Sequence, residues 1–244
     1  MADQDEYVRA LRNDAAETDA YHQRATTKSE QQKFLEDLLR ATGREFARIA
    51  DIACGGGALT YHLRTLYPQA RFTLCDRDDE ALRMARDLNG EAPHSYVLDD
   101  IHSLRQLPDN SFDLVCCWQT LSGINDPERA LEQLLRITAP GGSIYASSLF
   151  NLAHDVDIRA QLRDRTRPSG AQGHGYDYNT FSRETVAEWL QGRAASHGLH
   201  AFQMGIDLPP AGRGLGTYTV NTDSGRLQVS GGLLMNWAIL EITK

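Results

Sequence analysis

The stretch from Ala50 to Leu63, ADIACGGGALTYHL, constrains this chain more than any other. A short apolar run, an acid, three consecutive glycines and an amphipathic run describe a strand, a tight turn and a helix. Such a turn brings the backbone close to a ligand. The segments around it alternate in the same way. Strands are expected at ARIADIA (47–53), ARFTLC (70–75), HSYVLD (94–99), FDLVCCW (112–118) and GSIYASSLF (142–150). Helices are expected over 29–42, after the capping-box pattern TKSE (27–30), and over 58–67, stopped by Pro68. Two more are expected over 79–89, closed by Gly90, and over 125–138, capped by Asn125 or Asp126 with Pro127 in the first turn. Strands that alternate with helices form βαβ units, so the sheet is mainly parallel, with helices on both faces and FDLVCCW near its centre.

The pattern changes after Phe150. Residues 151–180 read as polar and irregular, long enough for a lid or a substrate loop, with the charges from Arg163 to Arg167 as a solvated helix end. A helix capped by Ser182 follows, with Val186, Trp189 and Leu190 facing inward. Strands are then expected at 200–208, in a hairpin about NTDSG within 216–230, and at 233–243, which makes the end of the chain antiparallel. The hairpin is expected to cover the site or to build the edge of a homodimer.

Composition narrows the function. With 41% hydrophobic and 24% charged residues the chain reads as soluble and globular. A net charge of −8 weighs against nucleic acid or an anionic membrane as partner. The four cysteines, Cys54, Cys75, Cys116 and Cys117, make no paired C-x-x-C pattern, so structural thiols are expected and no metal site. The acidic N-terminus lacks the features of a signal peptide, no run is long enough to span a bilayer, and the cytoplasm is the expected location. Arginine far outnumbers lysine, a bias that suits a GC-rich bacterial genome.

The turn itself discriminates among ligands. A phosphate-cradling loop needs Gly-Lys-[Ser/Thr], and here Ala58, Leu59 and Thr60 follow the glycines. The dinucleotide fingerprint fails at Thr60, and a frame begun at Ala53 supplies only Ala-x-Gly-x-x-Ala. Asp51, just before the turn, suits a cationic or hydrogen-bond-donating ligand. Asp76, about twenty residues past the turn at the end of the second strand, can accept both hydroxyls of a ribose. Asp99 and Asp100 end the third strand, where a carboxylate can accept from an adenine amino group while Ile101 packs on the ring.

In this order of motifs the sequence resembles the class I S-adenosylmethionine-dependent methyltransferases from about Ala47 to Leu149. ADIACGGGAL is similar to the family's first motif, and LCDRDDEALRMAR to its second-strand motif. LDDIHSLRQLPDNSFDLVCCWQTL and ALEQLLRITAPGGSIYAS are similar to the adenine loop with the fourth strand and to the Pro-Gly-Gly turn with the fifth. The resemblance implies a Rossmann-like α/β sandwich with a seven-stranded, mostly parallel sheet, an antiparallel C-terminal strand and an added β-hairpin. One domain is implied over 1–244: an N-terminal lid (1–28), a cofactor-binding half (29–150), a variable lid or substrate loop (151–180) and a C-terminal helix with antiparallel strands (181–244). It implies that Asp51 and the backbone of Ala53, Cys54, Gly55 and Gly57 line the amino-acid part of S-adenosylmethionine. Asp76 would hold the ribose, with Arg77 beside the adenine. Asp100 and Ile101, or Asp99 in place of Asp100, would meet the adenine. Cys117 and Trp118 would border the methyl group, and Tyr21 and Arg24 would close over the cofactor. The family's first glycine is replaced by Ala53, a change expected to be tolerated at a negative φ.

Methyl transfer by in-line displacement relies on alignment, and a general base is required only where the nucleophile must lose a proton. Candidates for that base are His154, His174 and Tyr176, in the variable region. Asp177 and Tyr178 share the aromatic stretch GHGYDY, and Trp118 and Trp237 are divided between a pocket and the core. CWQT stands where nucleic-acid amino-methylating members carry [DN]-P-P-[YF], so the expected acceptor is an oxygen or nitrogen of a small molecule. The rival readings are a cofactor-binding regulator or partner protein without turnover, and a nicotinamide-dependent oxidoreductase.

Overall fold

The computed structural model describes residues 25–91, 93–152, 154–163, 175–202, 218–222, 225–229 and 236–244. Helix α1 (Glu30–Thr42) precedes β1 (Arg48–Ile52), α2 (Ala58–Leu66), β2 (Arg71–Asp76), α3 (Asp79–Asn89) and β3 (Ser95–Leu98). Then come β4 (Phe112–Trp118), a 3-10 turn (Leu121–Gly123), α4 (Pro127–Ile137) and β5 (Thr138–Asn151). β6 (Ile158–Arg163), β7 (Gly175–Ser182), α5 (Arg183–Leu190), β8 (Ser196–Phe202), β9 (Tyr218–Thr222), β10 (Gly225–Val229) and β11 (Asn236–Thr243) complete the described elements.

The main sheet runs β3-β2-β1-β4-β5-β11-β8, parallel from β3 to β5 and antiparallel through β11 and β8. The order reverses between β1 and β4, so the crevice beyond their carboxyl ends is a topological switch point, the usual ligand position in open α/β sheets. The expected hairpin forms as β9 paired antiparallel with β10, in a sheet of its own.

The period-2 alternation of the strands divides the core. Ala50, Ile52, Val115, Cys117, Ile144 and Ala146 face α4 and α5, meeting Leu131, Leu134 and Trp189. Ile49, Leu114, Cys116 and Tyr145 face the other way, toward Leu35 and Leu39 of α1 and Leu59 and Leu63 of α2. Asp51 belongs to the second set by parity, which places its carboxylate under α2 rather than under α4.

Three local expectations need correction. The capping box is Ser29 with Gln32, not Thr27 with Glu30: Ser29 Oγ accepts from Gln32 N at 3.3 Å, and Gln32 Oε1 accepts from Ser29 N at 2.9 Å. The same spacing rule fits both pairs, and the helix starts two residues later than TKSE suggests. Residues 151–180 are not irregular throughout. β6 pairs antiparallel with β7, from Ile158↔Thr180 to Arg163↔Gly175, and β7 pairs parallel with β5 at Phe150↔Phe181. Ile158, Ala160 and Leu162 alternate with Arg159, Gln161 and Arg163, a strand period masked by the charge of the segment. Arg163 accordingly ends a strand and not a helix, while 164–167 lie outside the described residues. β5 is also longer than expected, because the Pro-Gly-Gly turn is incorporated into it across a register shift between Phe112 and Leu114.

Candidate active site

A cavity of about 560 Å³ opens at the carboxyl ends of β1, β2, β3 and β4. Its wall includes Asp51, Ala53, Cys54, Gly55, Asp76, Arg77, Asp99, Ile101 and Trp118, so nine of the expected cofactor residues meet in one place.

The turn after β1 builds the floor. Cys54 N donates to Cys75 O at 3.0 Å and Gly57 N to Cys54 O at 2.9 Å, which folds the chain back before α2 begins. Gly57 caps α2 at φ +77°, and a Cβ there would lie 2.5 Å from Asn89 Nδ2 and 3.0 Å from Ala85 Cβ. Asn89 Nδ2 in turn donates to Gly57 O at 3.1 Å. The glycine is therefore required for the close packing of the turn on α3, and it stands behind the cavity wall. Ala53 takes φ +55°, so the negative φ at which alanine was expected to be tolerated is not the one adopted. The turn keeps the left-handed geometry suited to glycine and carries a methyl group within it, a strained arrangement for an L-residue.

Asp76 is fixed by backbone donors. Gly55 N donates to its Oδ2 at 2.8 Å and Asp78 N to its Oδ1 at 3.0 Å. The second-strand acid is thereby tied to the first-strand turn. Asp78, and not Asp76, caps α3, accepting from Glu80 N at 3.0 Å.

Asp51 is fully buried in the wall. Thr60 Oγ1 donates to its Oδ2 at 2.7 Å, whereas its Oδ1 has no partner among the described residues. Burial pushes the carboxyl up to about 7, opposed by the Thr60 hydrogen bonds and reinforced by the neighbouring charge of Asp76. An unpartnered buried carboxylate oxygen beside a cavity calls for a donor, and an ammonium group satisfies both its hydrogen bonding and its charge. A ligand with an α-amino group and a ribose fits a wall that presents Asp51, Asp76 and Asp99.

At the end of β3 the two acids divide. Asp99 lines the cavity and accepts from Asp100 N at 2.8 Å and Gln106 N at 2.7 Å. Asp100 faces its own turn, where Oδ1 accepts from His102 N at 2.8 Å and meets His102 Nδ1 at 2.7 Å. Partial burial pushes the Asp100 carboxyl up, but the His102 contacts outweigh it and hold the group below its ordinary value. Of the pair, Asp99 is the acid in the wall, with His102 beside it.

Cys117 is fully buried in the core on the α4 side and does not line the cavity, whereas the next residue, Trp118, does. All four cysteines are free. Burial raises each thiol, Cys117 to about 12 and Cys54 well above its ordinary value, so they are poor nucleophiles. Tyr21, Arg24 and His174 lie outside the described residues. Tyr176 belongs to β7, its side chain outside the description. His154 is exposed and off the cavity wall. Trp237 is half-buried in β11 and also off that wall.

The wall has a second part that the sequence reading did not name. Ser29 and Gln32 of the α1 cap enter it from one side. Gln119, Thr120, Gly123 and Ile124 enter from the segment after β4. Gln119 takes φ +54° and is anchored by its N donating to Ser147 O at 2.8 Å and by Nε2 donating to Gln31 Oε1 at 2.7 Å. The available signal was position alone: these residues follow the carboxyl end of a central strand, where ligands gather in such sheets.

Comparison with known proteins bears on the family and the fold. Residues 50–146 match the family model described as a methyltransferase domain. A malonyl-[acyl-carrier protein] O-methyltransferase of Geobacter sulfurreducens is 31% identical over 186 residues, covering 76% of this chain and 68% of that one. A ubiquinone biosynthesis O-methyltransferase of Xanthomonas oryzae is 30% identical over 154 residues, 59% of this chain and 61% of the other, so this chain spans about three fifths of that relative. Among solved structures, an amino pentose methyltransferase of Micromonospora echinaspora, determined with S-adenosylmethionine bound, superposes with a TM-score of 0.57 at 14% identity. The match covers 95% of this chain and 98% of the other.

Proposed function

Since this chain belongs to the class I S-adenosylmethionine-dependent methyltransferases, with S-adenosylmethionine as cofactor, we propose that it methylates an oxygen atom of a small molecule. The observation that carries this reading is the pair of acids at the switch point. Asp76 is held by Gly55 N and Asp78 N for a ribose, and Asp51 offers an unpartnered oxygen for an α-ammonium. The relatives named as O-methyltransferases support oxygen as the acceptor atom.

The cofactor supplies a methyl group already activated on a sulfonium. The task left to the chain is to hold the donor and align the acceptor, which together supply most of the acceleration in a displacement of this kind. Asp76 and Asp51 fix the nucleoside and amino-acid ends, and Ile101 and Arg77 flank the adenine position. Trp118, Gln119, Thr120, Gly123 and Ile124 bound the space on the acceptor side. Of the segment expected as a lid over 1–28, Ala25 and Thr27 line the cavity, while residues 1–24 lie outside the described residues.

The test is calorimetric titration with S-adenosylhomocysteine followed by an acceptor screen of phenols, carboxylic acids and amines, read by S-adenosylhomocysteine release. Micromolar binding, turnover on a hydroxyl or carboxyl acceptor, and a loss of at least about tenfold in affinity in Asp76→Ala are expected, the last from removing charge-assisted hydrogen bonds. Turnover only on amines would overturn the oxygen assignment. Binding without turnover in a full metabolite extract would favour a regulator or partner protein of the same fold.

A further inference from the structure

We propose that Thr60 is the positioning residue for Asp51, its hydroxyl aiming the carboxylate so that Oδ1 meets the cofactor's α-ammonium. The inference rests on the cofactor reading above. Thr60 is fully buried in the first turns of α2, and no general requirement of a helix places a β-branched hydroxyl there. Its Oγ1 donates to Asp51 Oδ2 at 2.7 Å across nine residues of sequence. The carboxylate so held has one oxygen satisfied by protein and one, Oδ1, with no partner although it is buried. A structural pair would satisfy both oxygens or replace them with apolar groups, because a buried carboxylate left half-paired is destabilising. The arrangement becomes complete when a cation enters beside Oδ1.

Among the described residues, the other groups near Asp51 do not supply that cation. Asp76 on β2 is an acid, and Cys54, Cys75, Cys116 and Cys117 are thiols held protonated by burial. Asp51 is paired across the sheet with Leu74 of β2 and Cys116 of β4, and α2 contributes Thr60. Thr60 stabilises the charged form of Asp51, as the cofactor's ammonium would. Loss of the hydroxyl then makes the cofactor's amino-acid end bind an acid that is harder to ionise.

The experiment is calorimetry of S-adenosylhomocysteine binding between pH 5.5 and 8 for the wild type, Thr60→Val, Thr60→Ser and Thr60→Ala. 5′-Methylthioadenosine, which lacks the amino-acid end, serves as the parallel probe. The wild type should bind S-adenosylhomocysteine more tightly as pH rises through neutrality, and methylthioadenosine with a flat profile. Thr60→Val should move the midpoint upward by about one pH unit and weaken binding near pH 7 by several-fold, as loss of one charge-assisted hydrogen bond implies. Thr60→Ser should restore the wild-type midpoint. Thr60→Ala should follow Thr60→Val and keeps the test in force if the valine does not fold. An unshifted midpoint in the valine and alanine variants, or equal shifts with both probes, would overturn the proposal. A flat wild-type profile with tight binding would overturn it too while leaving the cofactor reading intact. Absence of binding of both probes at every pH would overturn that reading itself.

Discussion

The two halves of the cavity are built by different means. The side proposed for the cofactor is made of short turns at the carboxyl ends of β1, β2 and β3, locked to one another by backbone donors. Gly55 N binds Asp76, Cys54 N binds Cys75 O, and Asp99 N binds Asp76 O. The side proposed for the acceptor is made of the segment after β4 and of α1, held by side chains such as Gln119 on Gln31 and Asn179 Nδ2 on Ile124 O. Behind it, Asp155 and Asp157 clasp Ser182 and Thr185 at the start of α5. Backbone locks hold one shape of turn, since a main-chain N–H does not depend on the side chain beside it. Side-chain anchors can be exchanged without moving the sheet, which is how one fold serves many acceptors.

The comparison can be broken at several points, the largest first. The raised Asp51 carboxyl means that the folded protein binds more protons than the unfolded chain between about pH 4 and pH 7. Stability without cofactor should therefore fall as pH rises through that window, by up to about 4 kcal/mol. His62 and His94, lowered chiefly by burial, act in the opposite direction, so the slope is isolated as the difference between the wild type and Asp51→Asn in urea melts. Identical slopes would refute the burial of an ionisable Asp51. Gly57→Ala should cost about 2–3 kcal/mol by chemical denaturation, from the positive φ and the collision with Asn89 and Ala85. A neutral result would mean that the turn is not locked to α3. Ala53→Gly should stabilise by about 0.5–1 kcal/mol as its left-handed strain is relieved, against a partly offsetting gain in unfolded-state entropy. A lower melting temperature would contradict the strain. His154→Ala should leave cofactor affinity and turnover unchanged, because the side chain is exposed and off the cavity wall. A large loss of turnover would place it on the acceptor side after all.

The difference between the halves also explains what the sequence discloses. The turn from Ala53 to Gly57, the acids ending β1, β2 and β3 and the apolar run of β4 have local signatures, because the backbone geometry itself demands those residue types. Helix α3 and the caps Asp126 and Ser182 were legible for the same reason. The place of Gln119 was not, since it comes from α1 lying against the ends of β4 and β5, contacts far apart in sequence. β6 and β7 escaped because the charge along β6 hid an alternation that only pairing with each other and with β5 reveals. The positive φ of Ala53 was not legible either, since the turn around it, and not its side chain, fixes the backbone.

The most direct test of the account is a crystal structure with S-adenosylhomocysteine. The ribose hydroxyls are predicted on Asp76, the α-ammonium on or one water from Asp51, the adenine against Ile101, and the sulfur turned toward Trp118 and Gln119. A nucleoside bound away from the ends of β1 and β2, with Asp76 making no contact to the ribose, would contradict it.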